Sequence, residues 1–150
     1  NTRELKKVLE DFIFQDVVRV ALFGAGNLGS AILKYPKFHK DKIKIVAAFD
    51  KDQQKIGRRI NGVQLYSFED APEIIRKSDA QIGVIAAPAE ASQQIADVIV
   101  LSGLKGILNF SPTSVSVPKS VLVKDIDLAI EFHSLYFDMV QRKESGEITK

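Results

Sequence analysis

The 150-residue sequence has no cysteine and no tryptophan, and only one methionine and two histidines. Without cysteine there are no disulfides, thiolate metal sites or thiol-based redox sensors within this sequence, so any redox response has to come through a bound ligand. His39 and His133 lie far apart with no metal-ligand spacing, and no metal is expected. No run of about 18 apolar residues occurs, and no n-region, h-region and cleavage pattern is present. Neither a membrane span nor a secretory signal is therefore supported, and the cytoplasm is the expected compartment. The formal net charge of +2 is too small to argue for a nucleic-acid surface. The one local excess of lysine (Lys34, Lys37, Lys40, Lys42 and Lys44, interleaved with Tyr35, Phe38 and His39) reads as a solvated loop.

What is present is a 45% hydrophobic chain of the size of one domain, able to bury a core. Its most informative stretch is Gly24-Ala25-Gly26-Asn27-Leu28-Gly29, which follows the apolar run Val17–Phe23 and opens into the helical pattern Leu28–Leu33. In a strand–turn–helix context this G-x-G-x-x-G carries a mechanism. Gly24 permits the tight turn, Gly26 lets a pyrophosphate approach the backbone, and Gly29 lets helix and strand pack closely. A dinucleotide is expected on this turn.

Residues 1–14 read as an amphipathic helix, with Asn1 as cap, Glu4 at the reciprocal position, and a stripe of Leu5, Val8, Leu9, Phe12 and Ile13. Strands are expected at 17–23 and 44–50, a brief strand or extended edge at 63–66, and further strands at 82–87, 105–110 and 121–124. Helices are expected after the glycine turn up to Tyr35, through Ile74–Arg76 with Ser67 and Asp70 offering a cap, and from Pro88 to Gly103. This alternation predicts an α/β fold, a Rossmann-type doubly wound parallel sheet. An extra C-terminal helix over 126–140 carries Leu128, Phe132, Leu135, Tyr136 and Met139 on one stripe and Ile126, Ile130, Phe137 and Val140 on another. Two apolar faces point to burial against a second subunit, the alternative being a helix wedged into its own domain.

Asp50 ends the second strand about 20 residues past Gly29, where a carboxylate can hydrogen-bond the adenosine ribose hydroxyls; its other reading is a turn residue. That placement favours NAD over NADP, while Lys51, Arg58 and Arg59 soften the preference. Ligands bind outside the carboxyl ends of the strands, so Ala86, Ala87 and Pro88 are expected beside the pyrophosphate and inner ribose. Asn109, Phe110 and Ser111 are expected at the nicotinamide end, with Phe110 reading equally as core. Nothing is left to build the substrate cavity and proton donor of a dehydrogenase, so the chain reads as a sensing module and not an enzyme.

Four segments carry a resemblance: the glycine turn with Tyr35-Pro36-Lys37-Phe38, Ala47-Ala48-Phe49-Asp50 with Lys55-Ile56-Gly57, Ala87-Pro88-Ala89-Glu90-Ala91, and Lys105–Pro112. Taken in this order they resemble the Rex family of redox-sensing transcriptional repressors, over nearly the whole chain. The resemblance implies a linking helix at 1–14, an NADH/NAD⁺-binding Rossmann domain at 15–125, and a C-terminal dimerisation helix and tail at 126–150. It implies a homodimer in which that helix is exchanged, and operator DNA bound through an N-terminal winged-helix domain that is absent here. The first residue being Asn1 and not Met agrees with that expectation. By position, Asp127 and Leu128, with Phe132 a turn later, approach the partner's pocket, and Tyr35 sits near the nicotinamide; Leu128 stands where the family has an aromatic residue. The second reading is a CoA- or NAD-binding subunit of a metabolic enzyme, of the succinyl-CoA-synthetase type. Asp50 argues against CoA, whose adenosine ribose carries a 3′-phosphate. The third is a structural dimerisation module without a ligand.

Overall fold

The nearly unbroken apolar runs form parallel strands, the arrangement such runs suit when both faces of a sheet are covered. The computed structural model describes residues 2–13 and 17–146. Its elements are α1 (Thr2–Ile13), β1 (Val18–Phe23), α2 (Asn27–Leu33), α3 (Lys37–Lys40), β2 (Ile43–Asp50), β3 (Arg59–Ile60), β4 (Val63–Ser67), α4 (Ala71–Ser78), β5 (Ile82–Ile85), α5 (Ala89–Leu101), β6 (Gly106–Asn109), β7 (Leu122–Asp125) and α6 (Leu128–Glu144). The strands lie in the order β3-β4-β2-β1-β5-β6-β7. All pairs are parallel except β3 with β4. With β3 set aside this is the order of a doubly wound Rossmann sheet, as expected, and the chain reverses its direction of winding between β1 and β5.

Two apolar layers hold the sheet. On the first face Ala21, Phe23, Ala47, Phe49, Ile85 and Ile107 pack against Ala71 and Ile75 of α4 and Ile95, Ala96 and Ile99 of α5. The Phe23 and Phe49 rings stack there with centroids 4.7 Å apart. On the second face Val20, Leu22, Ala48, Leu65 and Val84 pack with Ala25 and with Leu33 of α2. The connections leading to β5, β6 and β7 contribute Ile75, Ile95, Val115 and Val117 to the first face. Right-handed crossovers toward that edge require this. On the second face a groove of about 1200 Å³ consequently opens over Val18, Val20, Ile45, Ile82, Val84 and Leu108, with Leu5 of α1 on its rim.

Several local features differ from the sequence reading. Lys37–Lys40 form a helical turn instead of a loop, because Pro36 at its N-cap, with φ −72°, starts the chain in helical geometry. Ser67 caps a 3-10 turn at Phe68–Asp70, accepting from the Glu69 N–H at 3.4 Å, while the Asp70 side chain makes no cap bond to α4. The extended segment at 63–67 is the second strand of an antiparallel hairpin. Asn61 and Gly62 make its turn with φ of 50° and 81°, the two positive values a tight two-residue hairpin demands. The Asn61 Nδ2 donates to Leu33 O at 2.9 Å and fastens the hairpin to the end of α2.

The C-terminal helix is longer than read, and Asp127 caps it by accepting from the N–H groups of Ala129 and Ile130 at 2.9 and 3.4 Å. Along α6 every residue is exposed except Val140, which is half-buried. The wedged alternative is therefore not what this chain adopts. Leu5 and Val8 of α1 are exposed. The Asn1 cap, the side chains of Leu9, Phe12 and Ile13, and the tail beyond Gly146 lie outside the described residues.

Candidate functional site

The glycine turn leaves β1 where the sheet changes its winding direction, the point at which a crevice opens outside the strand ends. Gly24 has φ +102°, and a Cβ there would stand 2.2 Å from Ala86 O, so only glycine lets β1 turn beside the end of β5. A Cβ on Gly29 would stand 1.8 Å from Gly24 O, so the first turn of α2 rests directly on the loop that precedes it. Gly26 is the opposite case. Its Cβ would meet nothing within 4 Å, and its backbone faces open space. Two glycines are thus needed by the fold, and the third leaves the backbone bare.

Asp50, at the end of β2, points back at this turn. Its Oδ2 accepts from the Ala25 N–H at 2.7 Å and its Oδ1 from the Asp52 N–H at 2.8 Å. The Ala25 carbonyl on the other side accepts from Ser30 Oγ and Lys55 Nζ, each at 3.2 Å. Ala25 is therefore clamped through both backbone groups, and Asp50 holds the turn whatever else it binds. Lys51 reaches away, donating to Gln94 Oε1 and lying 5.8 Å from the centre of the Phe68 ring. Ala87 and Pro88 follow β5 at the same sheet end, with Pro88 as the N-cap of α5.

Asn109 is fully buried. Its Nδ2 donates to Thr113 O and Asp125 Oδ1, both at 2.9 Å, and its Oδ1 accepts from the Ser111 N–H at 3.0 Å and from Ser111 Oγ at 2.7 Å. The amide is spent on shaping the 109–113 loop, and Ser111 is buried with it. Phe110 is half-buried and lines the apolar groove. Tyr35 stacks edge-on with Phe38 at 4.8 Å. The length of α2, about 10 Å at 1.5 Å per residue, separates Tyr35 from the glycine turn. Asp127 and Leu128 follow β7 at the glycine-turn end of the sheet, with Leu128 and Phe132 68% and 72% exposed. The structure thus groups Gly24, Ala25, Gly26, Asn27, Leu28 and Gly29 with Asp50, Ala87 and Pro88, sets Asn109 and Ser111 behind them, and holds Tyr35 apart.

Sequence reading missed the β3–β4 hairpin that carries Arg59, although Asn-Gly between Ile60 and Val63 is its signal. This hairpin and the turn before it bring Lys55, Arg58 and Arg59 beside Asn27 and Ser30, around a pocket of about 370 Å³. Among the described residues no three acidic or histidine side chains converge as metal ligands, and no helix is long and apolar enough to cross a membrane.

A parallel sheet in this order with this turn defines a nucleotide-binding domain of the Rossmann class. The chain belongs to the CoA-binding domain family, whose model matches residues 16–113. The resemblance to the Rex repressors is borne out as well. The chain is 43% identical over 127 residues to the redox-sensing transcriptional repressor Rex of Pelotomaculum thermopropionicum, covering 85% of this chain and 60% of that protein. The chain thus spans 60% of the length of that curated relative. The crystal structure of RSP, a Rex-family repressor, superposes with a TM-score of 0.82 at 26% identity, over 98% of this chain and 71% of that one. RSP in complex with NADH gives 0.81 at 26% identity, over 99% and 72% of the two chains. RSP with NAD⁺ and operator DNA gives 0.79 at 27% identity, over 99% and 71%.

Proposed function

We propose that this chain is the NADH/NAD⁺-sensing and dimerising part of a cytoplasmic transcriptional repressor, and that it catalyses no reaction. The observation that carries the reading is the glycine turn, with Gly26 open to a ligand and Asp50 clamping the adjoining amide. Support comes from relatives named as redox-sensing repressors and from RSP, a Rex-family repressor solved with NADH and with NAD⁺ and operator DNA.

In this reading Gly24 to Gly29 and the Ala87-Pro88 segment hold the pyrophosphate, and the unoccupied acceptor positions of Asp50 take the adenosine ribose hydroxyls. The two oxidation states share those contacts and differ in charge and pucker at the nicotinamide ring. Discrimination therefore belongs to apolar residues that exclude water around that ring, because desolvation disfavours the cationic form. Phe110 supplies one such wall, and a partner copy's Leu128 the other. An exposed helix with two apolar faces and an apolar groove on the same chain are complementary, and reciprocal exchange of α6 between two copies covers both. Operator DNA binding belongs to an attached winged-helix domain and not to these residues.

The test is NADH fluorescence titration and calorimetry on the domain, with sedimentation to fix its oligomeric state. Tighter binding of NADH than of NAD⁺ by a dimer is expected. Equal affinities would remove the basis for redox sensing, and no binding of either would leave a structural dimerisation module.

A further inference from the structure

The groove on the second face of the sheet has an apolar floor and a cationic rim. Lys6, Lys37, Lys40, Lys42 and Lys124 line it, and among the described residues Asp41 is the one acidic residue that does. Asp41 lies 4.0 Å from Lys37 in an exposed pair one helical turn apart, a contact that holds neither charge firmly. The ammonium groups of Lys40 and Lys124 make no hydrogen bond or ion pair among the described residues. An apolar floor bordered by lysines suits an occupant that is apolar on one side and carries carboxylates along that side.

The C-terminal helix α6 is such an element. Between Leu128 and Met139 its acidic residues are Glu131 and Asp138, and that stretch holds no lysine or arginine. Both are exposed, and neither carboxylate has a partner among the described residues. Residues seven apart fall within about 20° of one another around a helix, so the two share a side. Glu131 is a turn from both Leu128 and Leu135, and Asp138 a turn beyond Leu135, so the carboxylates run along one edge of the stripe of Leu128, Phe132, Leu135 and Met139. Ser134 and Gln141 lie between that edge and the second stripe, which carries Ile130 and Phe137. The acidic edge therefore belongs to the Leu128 stripe.

We propose that the Leu128 stripe is the face of α6 that seats in a second copy's groove, with Glu131 and Asp138 set against its lysine rim, and that these charges select the partner. The inference rests on the exchange of α6 argued above, and adds which face enters the groove and what makes the pairing specific. In a two-fold dimer each copy gives its carboxylates and receives the other's on its lysines, so the match is made twice. Lys37 and Lys40 stand together on α3 and supply one wall of that rim. Like charges set against each other there exclude a copy whose charges do not match.

The experiment is sedimentation equilibrium on the wild-type chain, on Glu131→Lys/Asp138→Lys, on Lys37→Glu/Lys40→Glu, and on an equimolar mixture of the two variants. All four residues are exposed, so each variant should keep the wild-type helix content by circular dichroism. Each variant alone meets like charge at both of its interfaces, and its dimer Kd should rise at least about tenfold. In the mixture one interface is wild type and the other sets lysine on glutamate, so a heterodimer should form with a Kd within about threefold of the wild type. A neutral variant, Glu131→Gln/Asp138→Asn, gives a second readout that needs no charge reversal. Raising NaCl from about 0.05 to 0.5 M should weaken the wild-type dimer about fivefold more than the neutral one. Variants that dimerise as the wild type does, a mixture that stays monomeric, or equal salt dependence of the wild-type and neutral dimers would each overturn the proposal and leave the lysine rim to a different anionic occupant. A wild-type dimer with any of those results leaves the exchange of α6 standing and removes this inference alone; a wild-type monomer removes both.

Discussion

Replacing each of two glycines in one turn separates what the turn does for the fold from what it does for a ligand. In Gly29→Ala the new Cβ would lie 1.8 Å from the Gly24 carbonyl oxygen and 2.8 Å from its carbon. Both neighbours are backbone, so no side chain can swing aside, and relief requires α2 to move off β1 by more than 1 Å. Overpacking of this kind costs up to about 3 kcal/mol. For a chain of this size that is a drop in melting temperature on the order of 6–12 °C. In Gly26→Val the Cβ enters open space from a backbone with φ −75°, a conformation any residue adopts. Its melting temperature should stay at the wild-type value. The valine does occupy the approach to the bare backbone, and loss of one charge-assisted hydrogen bond from pyrophosphate is worth about 1.5–3 kcal/mol. That corresponds to a roughly 10- to 150-fold weaker NADH Kd. Differential scanning calorimetry and NADH fluorescence titration on both variants give the two readouts. A Gly26→Val protein that melts as early as Gly29→Ala, or one that folds and binds NADH unchanged, would refute the division of labour.

Asn109→Ala should lower the urea midpoint by an amount equivalent to about 1–3 kcal/mol with the m-value unchanged, because it leaves the N–H and hydroxyl of buried Ser111 without their shared acceptor, while the exposed Asp125 carboxylate turns to water. Retained wild-type stability would mean the network is slack. Phe132→Ser, at a residue exposed in the single chain, should leave an isolated protomer as stable as before yet shift sedimentation from dimer to monomer; a dimer of unchanged affinity would place the interface elsewhere. Leu128→Gln should narrow the gap between NADH and NAD⁺ chiefly by weakening NADH. Equal loss for both would show that Leu128 does not face the nicotinamide.

Much of this fold is written locally, and what is written locally is what the sequence discloses. The runs Val18–Phe23 and Ile82–Ile85 are apolar at nearly every position because one face packs on α4 and α5 and the other meets α2 and the apolar groove, and Gly24, Gly26 and Gly29 sit at a spacing that turns, opens and packs in six residues. The part that was not legible depends on long-range partners. Asn109 has the chemistry of a ligand-binding amide, and nothing nearby in sequence reveals that Asp125, sixteen residues on, takes one of its two N–H groups. Tyr35 belongs to a motif that resembles the family's, yet the length of α2 fixes how far it stands from the turn. The hairpin at Asn61-Gly62 was readable from its dipeptide, but two-residue β3 is too short to show any periodicity.

The Asn109–Asp125 hydrogen bond has a mechanical meaning. Asp125 ends β7, and α6 is rooted only two residues later in the cap made by Asp127. The loop behind the glycine turn is therefore pinned to the base of a rod that α6 makes about 25 Å long at 1.5 Å per residue. Such a rod, touching its own body almost nowhere, behaves as a lever with its fulcrum at 125–127. A tilt of ~5° at the fulcrum carries its far end ~2 Å sideways for the helix length given above. A displacement too small to notice at residue 109 is largest at residue 144.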